Sequence, residues 1–135
     1  METGNTHSGQ ALPMSYDNTV SPYYSEVERT WTTAQNWAAE DVTTLTLYVR
    51  GASSNAAASV YLVVEDSTGN VAEMTHATAT TSIGWVTWTI PLNDLADAGV
   101  TLTAVKKVVI GVGNRTAPTA GGTGTIIIDD VILTK

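Results

Sequence analysis

Cysteine is absent from all 135 residues, which excludes a disulfide framework, a thiolate zinc site and a thiol nucleophile. Phenylalanine is absent too, so the ring content rests on four Trp and five Tyr, each with a polar handle suited to surfaces half apolar and half wet. Positive charge is scarce. Six Lys and Arg stand against thirteen Asp and Glu, a net charge of −7, which repels a phosphate backbone or an anionic membrane surface and argues against nucleic acid as a partner. No run approaches the roughly eighteen consecutive apolar residues of a membrane span, so no membrane insertion is expected. The opening Met-Glu-Thr-Gly-Asn-Thr-His has neither the basic nor the apolar region of a leader. The chain contains no Gly-x-Ser-x-Gly elbow and no His-Glu-x-x-His motif.

Thr accounts for about one residue in six, Val and Ile are plentiful, and good helix formers other than Ala are few, a balance that favours strands. The length suits one domain, 1–135, with a single core. Period-two alternation predicts about eight antiparallel strands separated by turns, the signature of an all-β sandwich. They are expected at Gln10–Tyr16, around Val27–Trp31, at Thr43–Arg50, around Val60–Glu65, at Val71–Thr75, around Trp85–Ile90, at Lys107–Gly113 and at Thr125–Leu133. Asp66-Ser-Thr-Gly-Asn70 supplies hairpin-turn chemistry. Leu92–Ala98 is the one short helical stretch expected. Trp88 alternates in phase with Val86 and Ile90 and is assigned to the core, together with Trp31 and Trp37.

The final strand carries two adjacent carboxylates, Asp129 and Asp130, after Ile126-Ile-Ile128. A carboxylate drawn beside a core is costly unless a cation or several donors satisfy it. Ca²⁺ is one answer, since a hard cation takes oxygen ligands; an Arg salt bridge or a strand-end cap is the other. Glu26 and Glu28 share a strand face with Cα atoms about 6.6 Å apart, within reach of a glycosidase carboxylate pair, though two such acids more often mark a solvated face. Gly111-Val-Gly-Asn-Arg-Thr116 lacks the third glycine and the following helix of a dinucleotide loop. The aromatic residues say more. Tyr48, Tyr61 and Trp85 fall on the parity opposite to the core sets, and Tyr23 and Tyr24 follow Pro22 in a loop. Exposed rings of this kind stack on the C–H face of a pyranose while neighbours such as Arg50 bond its hydroxyls. The candidate ligand-binding set is therefore Tyr23, Tyr24, Tyr48, Arg50, Tyr61 and Trp85.

The pieces Thr6-His-Ser-Gly9, Leu12-Pro-Met-Ser-Tyr-Asp-Asn18 and Ser21-Pro-Tyr-Tyr-Ser-Glu-Val-Glu-Arg-Thr30 are joined by Leu45–Gly51, Trp85–Leu92, Ile110–Asn114 and Gly121–Val131. In that order and spacing, the chain resembles the galactose-binding-like jelly-roll modules related to the carbohydrate-binding modules of exported bacterial proteins. The resemblance implies a jelly-roll β-sandwich, glycan binding in some members, and a structural Ca²⁺ near the two chain ends. It carries the ion site over to Asp129, with Asp130 beside it, and to the neighbourhood of His7, Ser8 and Gly9. Family members begin with a further strand upstream, so the resemblance also implies a module lacking that first strand, with an uncovered sheet edge open to homodimer formation.

The expected function is non-catalytic binding of polysaccharide by a module of a secreted or cell-surface protein. The alternative is a structural or adhesion sandwich with no sugar ligand, and a glycan-processing enzyme using Glu26 and Glu28 ranks third.

Overall fold

The computed structural model describes residues 9–135. Among them eight strands run in chain order as β1 (Leu12–Asp17), β2 (Ser25–Gln35), β3 (Thr44–Arg50), β4 (Val60–Asp66), β5 (Val71–His76), β6 (Val86–Pro91), β7 (Val105–Val112) and β8 (Thr123–Thr134), with a short helix α1 (Leu92–Asp97) between β6 and β7. They form two four-stranded sheets, ordered β1-β8-β3-β6 and β2-β7-β4-β5, and every pairing is antiparallel. This order, with chain neighbours in opposite sheets except for the β4–β5 hairpin, is that of a jelly roll. The expected all-β sandwich of about eight strands is what the chain builds.

Alternation decides which side chains meet between the sheets. Leu45, Leu47 and Val49 of β3 face Val60, Leu62 and Val64 of β4, and Trp88, Ile110, Val112, Ile126 and Ile128 complete the same core; each is no more than 8% exposed. Trp37 is buried with them, and Trp31 packs against the core from the edge strand, its ring 6.4 Å from that of Trp37 in an edge-to-face contact. The β4–β5 turn is tied by Asp66. One carboxylate oxygen accepts from the Thr68 and Asn70 amides and the Thr68 hydroxyl, and the other accepts from the Asn70 side chain and the Thr101 amide. These donors favour the ionised form and hold the Asp66 pKa well below the usual carboxylate range, the Thr101 amide contributing most.

Strand β8 departs from simple alternation. Tyr48 pairs with Asp129 but Thr46 pairs with Ile132, so Leu47 alone stands opposite both Asp130 and Val131. This is a bulge, with Asp130 in the left-handed region at φ 47°. One extra residue switches the parity of everything beyond it, which is how Ile126 and Ile128 and then Leu133 all reach the core. Strict alternation would have turned Asp130 inward; instead Asp129 is the buried acid, on the side of Tyr48, and its Oδ1 accepts the Asp130 amide at 2.8 Å.

Candidate functional site

The outer faces of the two sheets point in opposite directions, and the aromatic residues singled out above divide between them. Tyr48 and Arg50 of β3, and Trp85 just before β6, lie on the outside of β1-β8-β3-β6, half-buried. The Arg50 Nε donates to the carbonyl of Ile83 at 3.1 Å. Tyr24 and Tyr61 lie on the outside of β2-β7-β4-β5, with Tyr23 in the loop at its end. The six residues therefore do not form one surface.

The outer face of β2-β7-β4-β5 is the more developed of the two. Register aligns Glu26 with Gly111 and Tyr61, Glu28 with Val109 and Val63, and Thr30 with Lys107 and Glu65, and it adds Glu73 and Thr75 from β5. Among the described residues no strand or helix makes extensive contact across this face. Its centre is nevertheless sealed, with Tyr61, Val63 and Val109 at 0%, 3% and 2% exposure and Tyr24 packed against them. A side chain on an uncovered sheet face loses contact with water only when its neighbours stand taller. The floor is thus apolar and sunken, and the rim is polar.

The sequence gives Tyr61 an exposed ring; the structure buries it, and Gly111 is the reason. A Cβ at Gly111 would lie 2.2 Å from the Tyr61 Cζ, so only the missing side chain lets the ring lie down across β7. The Tyr61 hydroxyl then donates to Glu26 Oε2 at 2.7 Å. Burial, reinforced by this carboxylate, pushes the Tyr61 pKa well above its ordinary value. The other oxygen of Glu26 is 3.6 Å from the guanidinium of Arg115. Arg115 comes from the β7–β8 loop, where Asn114 Oδ1 accepts from the amides of Thr116 and Ala117 and from the Thr116 hydroxyl. Further along the rim the Lys107 Nζ is 3.2 Å from Glu65 and 3.9 Å from Glu28.

Beside the loop end of this face a recess of about 220 Å³ is lined by Tyr23, Asn18, Gly113, Asn114 and Gly121. Tyr23 itself has φ 68°. Asn18 is buried, its amide nitrogen donating to the Val112 carbonyl and its oxygen accepting from Ser25. A larger cleft of about 620 Å³ opens between the sheets instead, bounded by Val27, Trp31, Val108, Ile128, Asp130 and Leu133. Its walls are the inner faces of the sandwich, and Gln10 lies on its rim.

Of the metal set, Asp129 and Asp130 sit at the β8 bulge, and continuing the β1–β8 register from Leu12 and Ile128 brings Gln10 and Gly9 toward them. His7 and Ser8 lie outside the described residues. Among the described residues no group of three or more His, Cys, Asp or Glu comes together. Sequence reasoning missed Lys107, Arg115, Glu65 and Glu73, because their importance lies in cross-strand register. Glu26 and Glu28, weighed both as a catalytic pair and as acids of a solvated polar rim, are rim acids engaged with Arg115, Tyr61 and Lys107.

Residues 2–135 match the family described as carbohydrate binding domain 30. The chain belongs to that family. It is a carbohydrate-binding module, a non-catalytic unit, and Glu26 and Glu28 need no catalytic role. Among solved structures it is similar to the family 30 module of the cellulosomal cellulase Cel9D-Cel44B of Clostridium thermocellum, at 17% identity and TM-score 0.69, covering 99% of this chain and 80% of that one. An agarase matches at 9% identity and TM-score 0.71 over 93% of this chain, which spans only 22% of the agarase. The family 11 module from Clostridium thermocellum, solved with a β-1,3-1,4-mixed-linked tetrasaccharide, matches at 10% identity and TM-score 0.50 over 96% of this chain and 92% of that one. At these identities the likeness is one of fold. No curated protein matches the chain.

Proposed function

We propose that the module binds polysaccharide on the outer face of β2-β7-β4-β5. The observation that carries this reading is the half-buried Tyr24 ring beside the partly exposed Glu26 and Arg115, standing over a closed floor of Tyr61, Val63 and Val109 on a face that no strand or helix among the described residues covers. Tyr24 offers a ring to pyranose C–H groups, and the charged rim offers partners for the hydroxyls around them. Tyr23 and Tyr24 extend this surface toward the loop end. Tyr48, Arg50 and Trp85, on the far side, serve as the internal control. Affinity electrophoresis against a panel of soluble polysaccharides should show retardation that Tyr24→Ala weakens strongly and Trp85→Ala leaves intact. Loss in Trp85→Ala with retention in Tyr24→Ala would put the site on the wrong sheet. No retardation in any polysaccharide would leave a structural or adhesion sandwich.

The solved relatives include parts of an agarase and a cellulosomal cellulase, and on that ground we assign the module to a secreted or cell-surface protein acting on polysaccharide. A structural Ca²⁺ at the β8 bulge is a further element of the proposal. The donor chemistry there is all oxygen, with two adjacent carboxylates, one of them buried, and it suits a hard cation. Asp129 and Asp130 would hold the ion, with Gly9 and its neighbours His7 and Ser8 completing the set. Self-association through the same edge is supported by the short β1 ladder, which stops at Ile128 and leaves Val131–Thr134 with β3 as the pairing strand among the described residues. Leu12, Val131 and Ile132 are exposed beside it.

A further inference from the structure

The loop end of the proposed glycan face is held by a residue that belongs to the opposite sheet's side of the chain. Asn18 directly follows β1 and is 2% exposed, too deep to touch a ligand on the face. Its side-chain amide spans Ser25 and Val112, the first pair of the β2–β7 ladder. The Nδ2 donates to the Val112 carbonyl at 3.0 Å, and the Oδ1 accepts from the Ser25 hydroxyl at 2.8 Å. The Ser25 Oγ in turn accepts from the Asp17 amide at 3.2 Å. The Asn18 backbone holds the far end of the β7–β8 loop: its N–H donates to the Gly122 carbonyl at 2.9 Å, and its carbonyl accepts from the Gly121 amide at 2.8 Å. Both ends of that loop and the start of β2 therefore meet on one buried residue.

Two groups assigned to binding hang from these points. Tyr24 immediately precedes Ser25, and Arg115 follows Val112 within the loop. Gly113 brings the parts together. A Cβ there would lie 2.9 Å from the Asn18 Nδ2 and 3.1 Å from both the Tyr23 carbonyl oxygen and the Tyr24 Cβ, so the absent side chain leaves the amide and Tyr24 packed against the same stretch of backbone. A movement of Asn18 is passed on to both, because close-packed groups transmit displacement. Buried polar networks fix geometry for a further reason: each broken bond strands a partner that water does not reach. Binding groups need support of this kind to stay within about 0.5 Å of their working positions. Resting on the reading that this face binds glycan, we infer that Asn18 is a positioning residue for Tyr24 and Arg115, acting through Ser25, Val112 and the β7–β8 loop.

Three variants test this. Asn18→Asp keeps the shape and the oxygen that accepts from Ser25, but sets an acceptor against the Val112 carbonyl. Ser25→Ala removes one hydroxyl at a half-buried position, adds no charge, and serves alone if Asn18→Asp does not fold. Ile90→Val trims the core side of β6 in the opposite sheet and controls for lost stability. Affinity electrophoresis in a polysaccharide that retards the parent should show a loss of about tenfold for Asn18→Asp and about threefold for Ser25→Ala, the scale of one buried hydrogen bond. Ile90→Val should keep the parental affinity. In solution NMR the Tyr24 ring and Arg115 amide resonances should move in the first two variants and stay in place in the third. Moved resonances with parental affinity would overturn the positioning role while the binding reading stands. Unmoved resonances would overturn it at any affinity, and so would an equal loss in Ile90→Val, which would trace the effect to stability. No retardation of the parent in any polysaccharide would overturn the binding reading and this inference with it.

Discussion

Tyr61 on β4 donates a 2.7 Å hydrogen bond to Glu26 on β2, and its ring gets there by lying over Gly111 of the intervening β7. One empty side-chain position thus couples the floor of the proposed glycan face to its rim. Gly111→Ala places a methyl group where the ring lies and should destabilise the module by about 1–3 kcal/mol, the range for overpacking a filled site. It should also weaken glycan binding by releasing Glu26. Tyr61→Phe keeps the ring and removes the bond, and should cost only about 1 kcal/mol. Urea midpoints for the two variants check the order, and a Gly111→Ala midpoint equal to the parent's would mean that the ring has room to spare.

Acid should weaken the fold through Asp66. Its folded pKa lies below the unfolded value because five donors bond the carboxylate. The stabilisation is therefore fully present above the unfolded pKa of about 3.9 and is lost as pH falls below it toward the folded value. Melting temperature should drop between about pH 4 and the lowest pH at which the module stays folded. Asp66→Asn should lower the melting temperature at pH 7 and flatten that acid slope; an unchanged slope would assign it to other carboxylates.

Replacing Trp88 by Ala should cost about 3–5 kcal/mol, as it deletes a large core side chain and leaves a cavity. The ring is 8% exposed and makes an edge-to-face contact with His76 at 5.7 Å. Tyr48→Ala, on the outer face of the same sheet, should cost much less. Chemical denaturation compares the two directly, and the reverse order would invert the face assignment of β3 and β6.

Ca²⁺ should raise the melting temperature by mass action on the folded state, and Asp129→Ala should abolish the rise. Identical melting curves in calcium and in chelator would leave Asp129 and Asp130 as the polar residues of a bulge.

Light scattering across a concentration series should detect dimers that form through the Val131–Thr134 edge. Val131→Lys, which places charge on that exposed edge, should return the module to monomer. A particle that is monomeric at every concentration would remove the edge from consideration.

Strand positions and core faces were legible in the sequence because alternation is a local property, whereas the division into two sheets emerged only from the pairing. Leu45, Leu47 and Val49, or Val60, Leu62 and Val64, declare their face within seven residues. The binding face was legible only in part. Tyr61 has the right parity for an outer face, yet its burial depends on Gly111, 50 positions away and adjacent only after β4 and β7 pair in register. Arg115 and Lys107 matter through Glu26, Glu28 and Glu65 on other strands, and no spacing rule links them. The bulge at Asp130 was hidden for a different reason. An inserted residue shows in a sequence only as a broken alternation, and Ile126-Ile-Ile-Asp-Asp-Val-Ile-Leu133 supplies apolar residues on both parities, so no break is visible.

Strands β1 and β8 are antiparallel neighbours, so the start of β1 at Leu12 and the end of β8 at Thr134 point toward the same end of the sandwich. Tension applied through those two ends would pull across the ladder instead of along it. Its hydrogen bonds would be loaded one after another, as in a zipper, with none of the sharing that shear between oppositely anchored strands provides. A module tethered by both ends to a heavier body while gripping a polymer would thus yield first at its β1–β8 seam, in the sheet opposite the glycan face.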